Sequence, residues 1–199
     1  MADSPLHTME CAKREERRTD NQVLMRLLKQ RTVMLTDEIS RESAQRVMSQ
    51  LLLLDEESAD EPIKLFINSP GGDADAGFAV FDMIRFVHAP VKTVCAGLAA
   101  SAAVIVLLSS PKERRFSLPN ARVLIHQPST GVRGDASDIQ IEASEILKCR
   151  EKINTLIADE TGQKVEKVSR DTRRNYWMSA PEALEYGLVG KVISSSKEL

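Results

Sequence analysis

The stretch VKTVCAGLAASAAVI, residues 91–105, decides the fold of this chain. An apolar run typical of a buried β-strand reaches Gly97, and small residues then carry a single hydroxyl, that of Ser101, into a second apolar run. Small residues on both sides of a serine allow a sharp strand-to-helix turn that leaves the Oγ accessible and the neighbouring backbone N–H groups free. The pattern is therefore compatible with a nucleophilic serine, although the G-x-S-x-G motif is absent. An ordinary buried serine in an Ala-rich helix is the alternative interpretation of this stretch.

Composition bounds the classes of function. A chain of 199 residues predicts one domain. The net charge of −2 favours neither nucleic acid nor an anionic membrane as a partner. Cys11, Cys95 and Cys149 lie far apart without a C-x-x-C pair, so we expect neither a disulfide framework nor a metal site. With no signal-peptide pattern and no apolar run of membrane-spanning length, the sequence predicts a soluble, cytoplasmic protein.

Strand and helix patterns alternate along the chain. Helical periodicity begins after Asp20, a candidate N-cap. Ser137-x-x-Gln140 predicts a capping box at the start of a long helix that ends near Gly162. Ser179-x-x-Glu182 predicts a second capping box at the start of a short helix near the C-terminus. Strands are predicted at residues 32–35, 63–67, 91–96, 115–118 and 121–125, and further helices at 40–54 and after the turn at 70–72. This alternation predicts βαβ units and an α/β fold.

Two other features suit acyl transfer by a serine. The turn Pro70-Gly71-Gly72 links a strand to a helix N-terminus, where free N–H groups favour an oxyanion. Of the three histidines, His126 ends an apolar strand, whereas His7 lies in the polar N-terminal segment and His88 precedes a proline at a helix end. His126 is therefore the candidate general base.

Four motifs, in this order, resemble those of the Clp protease proteolytic subunit, ClpP, from about residue 20 onward. They are INSPGG at 67–72, AAS at 99–101, LPNARVLIHQP at 118–128 and SAPEALEYGLV at 179–189. The resemblance implies the ClpP/crotonase fold with a protruding handle helix. It divides the chain into an N-terminal tail or axial segment (1–19) and one peptidase domain (20–199), with a head (about 20–127 and 163–199) and a handle (about 128–162).

The same resemblance implies a serine endopeptidase that hydrolyses unfolded polypeptides inside a chamber made of two stacked seven-membered rings. An AAA+ Clp ATPase would deliver the substrate. ATP would belong to that partner, so no cofactor is expected in this chain. Neither nucleic acid nor membrane is an expected partner.

Residue by residue, the resemblance makes Ser101 the nucleophile, His126 the general base, and the N–H groups of Gly72 and Ala102 the oxyanion hole. Peptide-binding positions would be Gly71, Ser129, Thr130, Gly131 and Val132. The ATPase would dock near Lys64, Phe66, Phe86 and Ala96.

Three departures from the family pattern affect these expectations. Asn175 stands where the family has the third catalytic residue, an aspartate; Ala102 replaces a methionine; and Arg173-Arg174 replaces the Asp-Arg pair that locks ring to ring. We therefore expect a Ser-His-Asn triad, weak activity alone, and activation in a mixed tetradecamer with a second ClpP. The alternatives are a largely inactive regulatory or scaffold ring subunit, and a crotonase-type acyl-CoA enzyme, for which no CoA-binding signal is present.

Overall fold

The computed structural model describes residues 21–129 and 131–199. The strands are β1 (Thr32–Leu35), β2 (Ile63–Ser69), β3 (Val91–Ala100), β4 (Arg115–Ser117), β5 (Arg122–Ile125), β6 (Tyr176–Ser179) and β7 (Lys191–Val192). The helices are α1 (21–29), α2 (Arg41–Glu57), α3 (Ala74–Phe86), α4 (Ala102–Leu107), α5 (Ala136–Thr161), α6 (Val165–Asp171) and α7 (Ala180–Tyr186). The predicted α/β class is confirmed. The predicted N-cap at Asp20 and the predicted N-terminal segment 1–19 lie outside the described residues.

Strand β3 is the centre of the sheet because it pairs with two different strands on one side. Its first half runs parallel to β4, with Cys95 opposite Ser117, and its second half runs parallel to β5, with Ala100 opposite Leu124. On its other side it pairs with β2, which in turn pairs with β1. The change of partner from β4 to β5 falls at Gly97. Its backbone φ is +113°, a conformation that glycine adopts readily because it has no Cβ. The predicted strand at 91–96 thus continues to Ala100, which brings the serine turn to the end of β5.

The core is built from the buried faces of the sheet and of helices α2, α3 and α4. Helix α4 is buried throughout, which explains why its sequence, AAVIVL, has no polar face. Helix α2 begins at its N-cap Ser40, and α7 begins with the predicted Ser179–Glu182 capping box. No helix in the described part of the chain combines the length and apolarity that crossing a membrane requires.

In the described part of the chain, the fully buried positions of helix α5 all lie in its C-terminal half. Buried positions begin at Ile153, whereas the apolar side chains of its first half are exposed: Ile139 (44%), Ile141 (59%) and Leu147 (52%). The predicted capping box at Ser137 is wrong, because the N-cap is Asp135 and Ser137 already lies inside the helix. The C-cap Gly162, in the left-handed conformation, confirms the predicted end.

A buried ion pair fixes the anchored end of α5. The guanidinium of Arg115, 1% exposed, contacts the Glu160 carboxylate and donates to the Glu160 carbonyl at 2.9 Å and the Ser110 carbonyl at 2.5 Å. Burial lowers the pKa of Arg115, and the nearby Glu160 charge opposes that shift. Arg85 contacts the same carboxylate from α3. The base of the projecting helix is thereby tied to both the sheet and its flanking helix.

Candidate active site

Ser101 lies at the strand-to-helix turn that the sequence predicts. Its backbone has φ +56° and ψ −122°, a conformation that non-glycine residues rarely adopt. Its N–H donates to the Leu124 carbonyl at 3.0 Å, and its own carbonyl accepts from Val104 at 3.0 Å. The strained turn is thus held between β5 and the first turn of α4. This is the mechanical arrangement of a nucleophile elbow.

The glycine turn after β2 packs directly against the serine turn. A Cβ on Gly71 would lie 2.4 Å from the Ala100 carbonyl oxygen and 2.7 Å from Ser101 Cβ, so no other residue fits this contact. Ser69 Oγ accepts from the Gly71 N–H at 3.2 Å and donates to the Asp37 carbonyl at 2.6 Å. The two turns therefore form one rigid unit.

Two amides border the serine. Ala102 is the first residue of α4, where N–H groups have no partner within the helix. At the other turn, the carbonyl of Gly71 accepts from the Ile39 N–H and the N–H of Asp73 donates to the Ile39 carbonyl. The N–H of Gly72 between them has no acceptor among the described residues. Ala102 and Gly72 both line the same cavity as Ser101. They therefore fit the chemical need of a developing oxyanion.

His126 follows the last residue of β5 and lines the same cavity, whose volume is about 580 Å³. It is half-buried, and this burial lowers the pKa of its imidazole. The ring is consequently neutral at neutral pH and can accept a proton. Among the described residues no hydrogen bond joins Ser101 to His126, as is common in substrate-free sites.

Asn175 does not line the cavity, but the backbone brings it close to His126. Strand β6 runs antiparallel to β5, and their ladder ends at the pair Ile125–Tyr176, so Asn175 and His126 are the next residue on either strand. Beyond them Gln127 donates to the Thr172 carbonyl at 2.7 Å. Asn175 is exposed. Strand β6, which is responsible for this proximity, was not predicted from the sequence pattern.

The predicted peptide-binding positions are distributed around the cavity. Ser129 lines it, Gly131 and Val132 lie in irregular backbone beyond it, and Gly71 lies beneath the serine turn. Thr130 lies outside the described residues. Arg173 and Arg174 are exposed and follow α6.

The remaining cavity wall comes from α3 and α5, and its residues were not among those predicted for the site from the sequence. Phe78, Ile146 and Ile153 make it apolar, and Lys152 places its Nζ 3.6 Å from the centre of the Phe78 ring. Cys149 also lines the cavity, but burial, more than the nearby acidic charge, raises the pKa of its thiol. A protonated thiol is a poor nucleophile, so Cys149 is not a candidate for that role. The apolar stripe of α5 was the available sequence signal for this wall.

A family model, Clp protease, matches residues 13–196. The chain belongs to the Clp protease family. The chain is 49% identical over 187 residues to ATP-dependent Clp protease proteolytic subunit 2 of Treponema denticola, covering 94% of each chain. The corresponding protein of Treponema pallidum is 46% identical over 196 residues, covering 96% of this chain and 98% of that one.

Among solved structures, an Asn-to-Asp mutant of ClpP1 from Listeria monocytogenes superimposes with a TM-score of 0.82. It is 46% identical, and the match covers 88% of this chain and 98% of that chain. The ClpP resemblance and the ClpP fold are thereby confirmed: the chain is a ClpP paralogue.

Proposed function

We propose that this ClpP paralogue is a serine endopeptidase in which Ser101 is the nucleophile, His126 the general base and Asn175 the residue that orients the base. The observation that carries the proposal is the cavity itself. It brings together a strained, accessible serine, a neutral imidazole and two backbone amides from separate turns. Each group matches one requirement of acyl transfer to serine.

Ser101, His126 and the two backbone amides can carry out every step of peptide hydrolysis. Ser101 Oγ attacks the peptide carbonyl as its proton passes to His126, and the resulting oxyanion lies between the N–H groups of Gly72 and Ala102. The C–N bond then breaks, His126 returns its proton to the leaving amine, and an acyl-serine remains. Water then attacks the ester as its proton passes to His126. The bond between the acyl carbon and Ser101 Oγ breaks, His126 returns the proton to Oγ, and the acid is released. No cofactor takes part in any step.

Asn175 makes the proposed triad weaker than one with aspartate. Its carbonyl can accept the Nδ1–H of His126, but the amide carries no charge to stabilise the imidazolium formed during attack. The amide can also rotate and present its NH₂ group, which selects the wrong tautomer. In a serine protease whose orienting Asp was changed to Asn, kcat fell by about 10⁴. Low activity of the isolated subunit follows.

Assembly is the second part of the proposal. The exposed apolar side chains on the free half of α5 suit a contact between stacked rings, and Arg173 and Arg174 would meet their own copies in a tetradecamer of identical subunits. Like charges that lose solvent on contact repel. A homo-heptamer that pairs with a second ClpP offering acidic side chains avoids this repulsion.

Substrate delivery would come from an AAA+ Clp ATPase in the cytoplasm, which consumes the ATP and feeds unfolded polypeptide into the chamber. The predicted docking surface includes Phe86, 74% exposed, and Phe66, which packs on a small separate apolar cluster. Lys64 and Ala96 lie half-buried on the neighbouring strands. Apolar exposure of this kind marks an interaction surface.

The alternative is a ring subunit that regulates or scaffolds an active partner. The exposed Asn175, with no charge to offer His126, is the observation that favours it. A fluorophosphonate probe separates the two functions, because only a working nucleophile is acylated. We expect covalent labelling at Ser101 in the mixed complex, identified by peptide mass spectrometry, and none in Ser101→Ala.

The same Ser101→Ala preparation should hydrolyse no fluorogenic peptide beyond what the partner contributes alone. Labelling that never occurs at Ser101, in a complex whose native mass shows both rings, would leave only the scaffold function. Hydrolysis that persists in Ser101→Ala with an inactivated partner would refute the nucleophile assignment.

A further inference from the structure

A second cavity of about 400 Å³ lies beside the active site and shares none of its lining residues. Gln127 lines this second cavity, whereas its neighbour His126 lines the first. Successive side chains of an extended segment point to opposite sides, so the segment after β5 separates the two cavities. The second cavity is therefore an independent feature of the molecule.

Its walls come from helix α6 and the facing part of α5. Glu166, Ser169 and Arg170 share one face of α6, because their spacing is i, i+3 and i+4. Arg173 continues the same line just after the helix, and Arg150 reaches the cavity from α5. Helix α5, helix α6 and the segment after α6 thus each contribute one guanidinium group to the same pocket.

The backbone beneath these side chains is held in place. The buried hydroxyl of Thr172 lies 2.8 Å from Asn154 Oδ1 and 2.9 Å from the Val168 carbonyl. The Gln127 side-chain amide donates to the Arg173 carbonyl at 3.1 Å. The floor of the pocket is therefore rigid, while the guanidinium groups remain available.

The pocket carries an uncompensated positive charge in a chain whose net charge is −2. Of the lining residues that the structure describes, Glu166 is the one acidic residue. Among the described residues, Arg150 and Arg173 form no ion pair. Arg170 approaches Asp171 only at 3.9 Å, and that carboxylate already contacts Lys167 at 2.8 Å and the Tyr186 hydroxyl at 3.0 Å. The local balance is three cations against one anion.

We propose that this pocket binds an inorganic oxyanion of the phosphate class. A carboxylate offers two acceptor oxygens, which one guanidinium fork satisfies. Three guanidinium groups and the Ser169 hydroxyl offer more donors than a carboxylate can use, and they match the four oxygens and higher charge of a tetrahedral anion. Binding requires no peptidase activity. Arg173 also belongs to the ring contact proposed above, so the test uses Arg150 and Arg170, which that contact does not include.

The test is calorimetric titration of the whole protein with sodium phosphate at constant ionic strength. We expect saturable binding to the wild type and a loss of about 10-fold or more in affinity for both Arg150→Gln and Arg170→Gln, since each removes a charge-assisted hydrogen bond. Arg150→Lys keeps the charge but loses the forked pair of N–H donors, so its phosphate affinity should lie between those of the wild type and Arg150→Gln. Arg114→Gln is the matched control, because Arg114 is exposed and lies outside the pocket, and its affinity should equal that of the wild type.

Three outcomes overturn the proposal. The first is the absence of saturable phosphate binding to the wild type. The second is an equal loss in Arg114→Gln, which would mean that only general surface charge is involved. The third is sodium acetate binding as tightly as phosphate, which would assign the pocket to carboxylates instead. Circular dichroism of each variant, matched to the wild type, ensures that the affinities refer to folded protein.

Discussion

Replacing Asn175 by aspartate places a carboxylate beside the proposed general base. The β5–β6 ladder ends at the pair Ile125–Tyr176, and His126 and Asn175 are the next residues beyond that pair. Directly opposite residues of antiparallel strands have Cβ atoms about 5 Å apart. The carboxylate would accept the Nδ1–H of His126 without the option of donating. It would therefore select the tautomer whose Nε2 can take the proton of Ser101, and it would stabilise the imidazolium as attack proceeds.

The expected magnitude follows from distance and exposure. At about 5 Å, opposite unit charges attract by about 3 kcal/mol near a protein surface and by about 1 kcal/mol in bulk water. Asn175 is exposed and His126 half-buried, so the gain should fall between these limits. That range corresponds to about 5- to 150-fold in rate. It is smaller than the factor of about 10⁴ known for a buried aspartate, because solvent screens this pair.

The assay is hydrolysis of a fluorogenic peptide in the mixed complex with a catalytically inactivated partner, so that assembly is supplied and only this subunit reacts. The gain should appear in kcat with little change in KM, since the interaction forms in the transition state. Asn175→Ala is the control: it removes the acceptor without adding charge, and its kcat should not exceed that of the wild type. An unchanged kcat for Asn175→Asp in a complex of verified native mass would refute the orienting role.

Three further predictions concern stability, pH and assembly. Glu160→Gln should destabilise the fold by about 3–5 kcal/mol, because it leaves a buried guanidinium without its counter-charge, whereas Asp159→Asn on the exposed side should change the denaturation midpoint little. Burial lowers the pKa of His126, whose neutral ring is the proposed general base. The apparent pKa of the acidic limb of the kcat/KM profile should therefore lie below about 6.5, the ordinary histidine value. An apparent pKa above that value would contradict the assignment. Arg173→Asp with Arg174 retained should shift the homo-oligomer from one ring towards two in native mass spectrometry, and a wild type already stable as a tetradecamer in dilute protein would contradict the repulsion argument.

Most of the secondary structure could be predicted because it depends on local pattern. The strands around residues 33, 65 and 94 are short apolar runs, and the small residues around Ser101 allow only a tight turn. Strand β6 was missed because only Met178 of its four residues is buried, so its sequence lacks the alternation of a half-buried strand. The capping box at Ser137 was predicted wrongly because Asp135 begins the helix two residues earlier, and side-chain patterns locate helix ends poorly.

The sequence by itself determined the alternating α/β order, the serine turn, the glycine turn and a histidine at a strand end, since each depends on residues close together in the chain. The tertiary structure decided how these features meet. The pairing of β3 with β5 brings Ser101 towards His126, and the pairing of β6 with β5 brings in Asn175. The arginine pocket likewise forms only where α5 and α6 pack together. Contacts between residues distant in sequence depend on strand order and helix packing, which no local pattern records.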